Sequence, residues 1–417
     1  MRGAEVHYTI MTEQSFYGLG IAPSILALLD RMRFTTPTPI QHKAIPIAIE
    51  GKDIVGIAQT GTGKTLAFAI PMIQRLAQTG KRGLVIVPTR ELALQVDETF
   101  NKFRSLIGGG TAVLIGGASM GNQIRSLRRN PRVIIATPGR IIDHLERRNI
   151  HLNDVNILVL DEADRMLDMG FKPQIAKIVS RVPSARQTML FSATIPYEIM
   201  QLASSYMKLP ISVEIAKSGT AAKGVIQELF IVRSEDKKLL LEKILHQYNG
   251  SVLLFCRTKH GAKKIARFVR DLGYTSAEMH SNRSLSQRRE SLAGFKSGKY
   301  RVLVATDIAA RGIDVRGIEL VINYDLPDEA GNYVHRIGRT GRAGHEGRAI
   351  SFAMPDQGGD VRKIESLMRA TLPVSKHPEV TSGSFHQTSY SRPHPKGVGY
   401  RGLRRRRPGG RRFRKRR

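Results

Sequence analysis

The sequence is short of sulfur, of aromatic rings and of acid. One cysteine, Cys256, stands in 417 residues, which excludes an internal disulfide and a cysteine-rich zinc site. It follows Ser251-Val252-Leu253-Leu254-Phe255 and reads as a small residue of a buried strand rather than a reactive thiol. Tryptophan is missing and aromatics make up 6%, so leucine, isoleucine, valine and alanine must fill the cores. No apolar run approaches the roughly 20 residues that cross a bilayer, and Met1-Arg2-Gly3-Ala4-Glu5 is unlike an apolar leader. A cytoplasmic chain without a membrane partner is expected. Asp and Glu number 35 against 66 Lys and Arg, a formal charge of +31. That balance favours a polyanionic partner, without by itself choosing among RNA, DNA and an anionic surface.

What is present is a rhythm. The length suits about two domains. Short apolar runs at 54–58, 84–87, 112–115, 133–136, 157–160 and 188–191 alternate with longer helix-like stretches, and a second series follows at 226–232, 252–256, 301–305, 320–323 and 349–353. Such alternation implies an α/β class, each domain a mostly parallel sheet covered by helices on both faces. Residues 216–224, small and lysine-bearing, read as a connector. The expected division is 1–215, a linker at 216–224, 225–372, and a tail at 373–417. From 380 onward no acidic residue occurs and arginines accumulate. That segment cannot bury enough apolar surface to offset its ordering entropy and is expected to be disordered. It is either a solubilising tail or, as clustered arginines favour, a tether for nucleic acid.

Two motifs carry chemistry. Ala58-Gln59-Thr60-Gly61-Thr62-Gly63-Lys64-Thr65 joins a strand to a helix. Ala58 occupies the place of the first glycine of the strict phosphate-loop pattern, but Thr60, Gly61, Thr62, Gly63, Lys64 and Thr65 keep its essentials. The glycines let backbone N–H groups wrap a phosphate, Lys64 reaches the outer phosphates, and Thr65 can ligate magnesium. Asp161-Glu162-Ala163-Asp164 ends the run 157–160. Asp161 is placed to hold Mg²⁺ opposite Thr65, partly through water, and Glu162 to activate a water. Alone, the tetrad reads equally as a helix cap; with Lys64 and Thr65, a hydrolytic site is the better account.

From 16 to 372 the chain resembles the DEAD-box RNA helicases, whose name spells residues 161–164. The resemblance implies two tandem RecA-like domains in a member, taken as bacterial, with a basic C-terminal tail. It also implies ATP and Mg²⁺ as cofactors and hydrolysis coupled to local unwinding of short duplexes or remodelling of RNA–protein complexes. Phe34-Thr35-Thr36-Pro37-Thr38-Pro39-Ile40-Gln41 looks like the family's adenine-reading block, with Phe16 as its upstream aromatic. Gln41 offers an amide donor and acceptor to the adenine edge and Phe34 a ring to stack. Arg33 stands where the family usually has glycine. Ser192-Ala193-Thr194 resembles the block that couples ATP state to RNA, its hydroxyls bridging to Asp164.

Arg90, the amides near Gly116 and Gly117, and Thr137 with Arg140 follow three strand-like runs at one expected sheet edge. They resemble the family's first-domain RNA contacts, and such groups suit sugar–phosphate binding without base preference. In the second domain the resemblance gives Arg257, Lys259, Thr306 and Arg311 to RNA or coupling and Asp314 to the ribose side. It makes Arg339 and Arg342 the arginine fingers on the terminal phosphate, and His335 and Arg336 the coupling pair. Leu285 stands where the family commonly has glutamine, while Arg288 keeps the arginine place and its phosphate contact. Single-stranded or short duplex RNA is the expected partner, held additionally by the tail. Ribosomal or RNA-decay assemblies are candidate settings between which the sequence does not choose.

Overall fold

The structure is a computed structural model that describes residues 15–59, 61–215, 224–310, 315, 317–341 and 346–385. Thr60, Arg311, Asp314 and Arg342, nearly all of the expected linker and most of the expected tail lie outside the described residues. Two seven-stranded sheets organise the rest. The first contains β1 (Ile54–Ile57), β2 (Arg82–Ile86), β3 (Thr111–Leu114), β4 (Val133–Ala136), β5 (Val155–Leu160), β6 (Gln187–Ser192) and β7 (Ile211–Glu214), in the order β3-β4-β2-β5-β6-β1-β7. The second contains β8 (Val225–Ile231), β9 (Val252–Phe255), β10 (Ser276–Met279), β11 (Val302–Ala305), β12 (Leu320–Asn323), β13 (Gly347–Ala353) and β14 (Val374–Ser375), in the order β10-β11-β9-β12-β13-β8-β14. All described pairings are parallel. The two lobes are tandem RecA-like domains within one compact unit.

The strands are apolar throughout because helices cover both faces of each sheet. Successive side chains point to opposite faces, so Val85, Ile135, Val159 and Met189 enter one core of the first lobe while Leu84, Ile134, Leu158 and Leu190 enter the other. Phe68 sits in the first of these with Phe191 at 5.5 Å and Phe100 at 6.5 Å between ring centroids. Gly56 on β1 lies under that cluster; a Cβ there would stand 2.5 Å from the Phe191 ring. Among the described residues, no helix is long and apolar enough to cross a membrane.

Three strands lie beyond the runs read from sequence. β7 and β14 are edge strands, partly exposed and short of apolar residues. β10, Ser276-Ala277-Glu278-Met279, is buried at every position although half of it is polar. The Ser276 hydroxyl donates to the Ala266 carbonyl at 2.7 Å and Glu278 pairs with Arg283 through one oxygen, while its other oxygen is buried without a hydrogen-bond partner among the described residues.

Arg33 closes the helix Pro23–Arg31 in the left-handed region, φ 58°, and the turn returns the Phe34 N–H to the Leu29 carbonyl at 2.9 Å. A side chain in that conformation clashes with its own backbone, which glycine avoids. Arg33→Gly is expected to stabilise the chain by about 0.5–1 kcal/mol, read as a higher urea midpoint. An unchanged or lower midpoint would show that the arginine side chain offsets the strain.

Candidate active site between two lobes

Strand order divides the carboxyl edge of the first sheet. β1, β6 and β5 are neighbours and lead into Gly61–Thr65, Ser192–Thr194 and Asp161–Asp164; β2, β4 and β3 are neighbours and lead into Arg90, Thr137–Arg140 and Gly116–Gly117. One half of the edge therefore gathers the phosphate loop with the acidic tetrad, and the other half gathers the arginines.

On the first half, Gly61 and Gly63 both have positive φ, 85° and 90°, and the helix Lys64–Thr79 starts directly behind them. A Cβ on Gly63 would collide with the Gln41 amide. Lys64 is 6% exposed and its ammonium has no hydrogen-bond partner among the described residues. A buried, unanswered cation behind a glycine turn at a helix start fits a bound phosphate chain. Asp161 is 2% exposed and accepts the Glu162 N–H at 2.9 Å. Burial pushes its carboxyl up to about 6, against the pull of Lys64 and with help from Glu162 and Asp164. The Asp161 carboxylate and the Thr65 hydroxyl are oxygen donors of the kind a hard divalent cation takes with phosphate oxygens.

Glu162 is held in the left-handed region at φ 52° and pairs with the fully buried Arg165 at 2.8 Å. Burial raises its carboxyl, but the charges of Arg165, Lys64 and Arg339 outweigh burial and hold it below the usual glutamate range. The two adjacent carboxyls are therefore pushed apart, Asp161 up and Glu162 down. A strained backbone at a charged, buried position is the kind of departure found at functional sites.

Asp164 accepts three hydrogen bonds at 3.0 Å, from the Ala193 N–H, the Thr194 N–H and the Thr194 hydroxyl. The Ser192 hydroxyl, expected to share this task, is buried without a hydrogen-bond partner among the described residues. From the second lobe, His335 Nε2 stands 3.8 Å from the same Asp164 oxygen. Burial, and after it the nearby Arg165, keeps His335 well below its ordinary pKa, so a neutral imidazole rather than an ion pair meets the carboxylate. Arg339 is 3% exposed, donates to the His335 carbonyl at 3.2 Å and is close enough to Glu162 to lower its pKa. Arg336 is bound within its own lobe. It forks onto Asp307 at 2.6 and 2.7 Å, donates to the Asn323 side chain and the Asp325 carbonyl, and lies over the Phe255 ring. The Asp307 carboxylate is thereby committed to Arg336.

The adenine block is arranged differently from its expected use. Gln41 is the third residue of the helix Pro39–Ile49 and completes a capping box with Thr38. Its carbonyl accepts the Thr38 N–H at 2.9 Å, and its amide donates to the Gly63 carbonyl at 3.0 Å. One lone pair and one N–H remain for a base. Phe34 is half-buried under the Lys102 ammonium, 5.8 Å from its ring centre. Phe16 is corrected from a nucleotide contact to a core residue. It is 2% exposed within the apolar layer of the first lobe, which leaves no face for a ring to stack on.

On the second half of the edge, Arg90, Gly116, Thr137, Arg140 and the second lobe's Arg288 line one cavity of about 420 Å³. Arg90 lies against Gly116 and Gly117, where a Cβ would collide with its guanidinium. Arg140 donates to the Ala118 carbonyl and faces Asp143 at 3.5 Å. Arg288 pairs with Glu91 of the first lobe at 3.0 Å. Neither Arg257, paired with Asp328 at 3.2 Å, nor Thr306 lines this cavity.

The relationship to known proteins follows the same division. A DEAD/DEAH box helicase family model matches residues 38–202 and a helicase conserved C-terminal domain matches 236–344. An ATP-dependent rRNA helicase, RRP3 of Debaryomyces hansenii, is 42% identical over 369 residues, 88% of this chain and 77% of that protein. The chain belongs to the DEAD-box family of ATP-dependent RNA helicases. The helicase CshA of Listeria monocytogenes is 43% identical over 87% of this chain and 70% of its own length. Yeast Dbp5 bound to RNA and ADP BeF3 superposes with a TM-score of 0.79 at 28% identity, covering 87% of this chain and 95% of that one.

Several residues of this DEAD-box site were not singled out from sequence. Glu91, Asp143, Met169, Phe171 and Ser281 line the cavity. Glu91 adjoins Arg90 and Ser281 stands four residues before Leu285, and the carboxylate beside a phosphate track is explained by its partner Arg288. The second role of Gln41 was visible, since Thr38-Pro39-Ile40-Gln41 is a capping-box pattern with proline at the first helical position.

Asp161 has a folded pKa of about 6 against an ordinary 3.8. The folded state then holds the extra proton between those values, so burying this carboxylate lowers stability fully only above about pH 6, and acidification relieves the penalty. In nucleotide-free protein, Asp161→Asn is expected to unfold at higher urea than wild type at pH 8. The gap should narrow as pH falls through 6 towards 4; a gap that stays constant with pH would remove the buried-charge account.

Proposed function

We propose that this helicase hydrolyses ATP at the phosphate loop only when its two lobes close on one RNA strand, and that closure strains a short duplex apart or displaces bound protein. The observation that carries the reading is the meeting of the lobes at two places. His335 and Arg339 reach the Asp164 and Glu162 side, and Arg288 reaches Glu91 beside the arginine-lined cavity. Nucleotide chemistry and strand binding then share one interface, so neither half is complete while the lobes are apart.

In this reading Gln41 and Phe34 face the base, and Lys64 takes the outer phosphates. Thr65 and Asp161 would hold a magnesium ion, partly through water, which would supply charge neutralisation on the phosphate oxygens. Glu162, kept ionised by its neighbours, accepts a proton from the attacking water; Arg339, with Arg342, offsets charge on the transferred phosphoryl group. Asp314 would meet the ribose. Thr194, Asp164 and His335 pass lobe position to the hydrolytic centre. Arg90, Thr137, Arg140 and the amides at Gly116 and Gly117 bind sugar and phosphate, extended by Arg257, Thr306 and Arg311. The basic tail tethers RNA without sequence preference, in a cytoplasmic setting. The name of the RRP3 relatives favours a ribosomal RNA substrate over a decay assembly.

Steady-state ATP hydrolysis with single-stranded RNA, duplex RNA and matched DNA, on the full chain and on one ending near 380, tests this. RNA should stimulate and DNA should not; equal stimulation would overturn RNA specificity. Lys64→Ala should abolish stimulated turnover while tail-dependent RNA affinity persists, whereas RNA binding indifferent to ATP in wild type would favour an annealing protein. Arg339→Ala should lower kcat by on the order of 10²–10³-fold with little change in RNA affinity. Unchanged turnover would remove the arginine from the reaction.

A further inference from the structure

At the strand-binding side the second lobe sets Ser281, Arg288 and Ala309 against the same cavity as the first, and one helical turn there makes two contacts across the lobes. The helix Leu285–Lys296 opens with Leu285, and one turn later comes Arg288; residues at this spacing share a face. Both reach across. Arg288 pairs with Glu91 at 3.0 Å, and Leu285, half-buried, packs against the apolar cluster of the first lobe. The turn is rigid, because the Ser284 hydroxyl accepts the Gln287 N–H at 3.2 Å and the Gln287 side chain accepts the Ser284 N–H at 3.0 Å.

The two contacts differ in what they contribute. Glu91 and Arg288 are 4% and 8% exposed, burial raises the one pKa and lowers the other, and one Glu91 oxygen and the Arg288 Nε have no hydrogen-bond partner among the described residues. An ion pair desolvated and incompletely bonded to this degree is close to neutral for stability, though costly to break on one side. Leu285 has no such penalty, and its contact is made only when the lobes approach. It carries no group that could bind a phosphate, a sugar or a base edge.

We propose that Leu285 is a positioning residue for the helicase reaction: an apolar latch between the lobes that favours the closed, strand-gripping arrangement without touching the strand. Leu285 is not among the lining residues of the cavity of about 420 Å³, which has Arg90, Thr137 and Arg140 on one side and Arg288, one helical turn from Leu285, on the other. A leucine here makes closure on RNA more favourable than an amide side chain would, because a buried amide needs partners that this apolar surface does not provide. The inference rests on the function proposed above for its activity readout, but lobe closure reads it independently.

The test compares Leu285→Gln and Leu285→Met with wild type as full chains. ATPase is titrated with single-stranded RNA, and inter-lobe distance is followed by fluorescence transfer between dyes on the two lobes, with RNA and a non-hydrolysable ATP analogue. Leu285→Gln should raise the RNA concentration for half-maximal turnover by about 3–10-fold. It should lower the closed fraction at subsaturating RNA, leave RNA-free turnover and saturated kcat within twofold, and leave the thermal midpoint close to wild type. Leu285→Met should restore wild-type behaviour. The ratio of mutant to wild-type half-saturation should be constant with potassium chloride, since a phosphate contact would make it shrink as salt rises. Unchanged closure in Leu285→Gln overturns the latch, and so does a ratio that collapses with salt. A wild type that RNA does not stimulate refutes the proposed function instead, and the fluorescence arm still decides the latch.

Discussion

A buried ammonium that no described residue hydrogen-bonds sets the terms for this structure. Lys64 lies behind a glycine turn with no hydrogen-bond partner among the described residues, and the carboxyl of Asp161 nearby is pushed upward by the same burial. Two groups in that condition weaken the empty protein. Their arrangement is understandable as preorganisation, in which donors are fixed before the charge they serve arrives. The strained backbone of Glu162, its pairing with Arg165 and the approach of Arg339 add to the same cluster. Much of the local architecture is therefore directed at an anion.

The division of the sheet edge explains how such a site can be joined to a second one without overlap. In the first lobe β1, β6 and β5 carry the phosphate side and β2, β4 and β3 the strand side. The second lobe repeats the division, with Ser281, Thr306 and Arg257 following β10, β11 and β9, which are also neighbours. The helix Ala163–Asp168 leaves β5 at the boundary between the two halves of the first edge, and Asp164 within it binds the loop after β6. His335 of the second lobe stands 3.8 Å from that residue, and Arg288 pairs with Glu91 at the far half. No long chain of intermediaries is needed, because both halves border one interface.

Much of this was legible in the sequence, for reasons that can be named. Buried parallel strands are apolar on both faces, so runs such as 157–160 and 252–256 announce themselves, and the motifs follow the runs at the expected ends. β10 escaped because its burial is purchased with local hydrogen bonds rather than apolar side chains, and β7 and β14 because edge strands need little hydrophobicity. The placement of Phe16 escaped because an aromatic in a loop-like segment looks the same whether it faces a ligand or a core. Gln41 is legible as a base-facing amide but its bond to the Gly63 carbonyl is not, and Arg288 is legible without Glu91. In each case the missing information was the identity of a partner distant in sequence.

Cys256 directly follows β9 in the second lobe, with its thiol sealed in the core and pushed up by burial, the neighbouring Asp325 adding to the effect. Thiolate, the form that reacts with peroxide or exchanges with glutathione, is thereby suppressed at the one sulfhydryl the chain possesses. An enzyme built this way keeps its one thiol from the chemistry by which exposed, low-pKa cysteines sense oxidants.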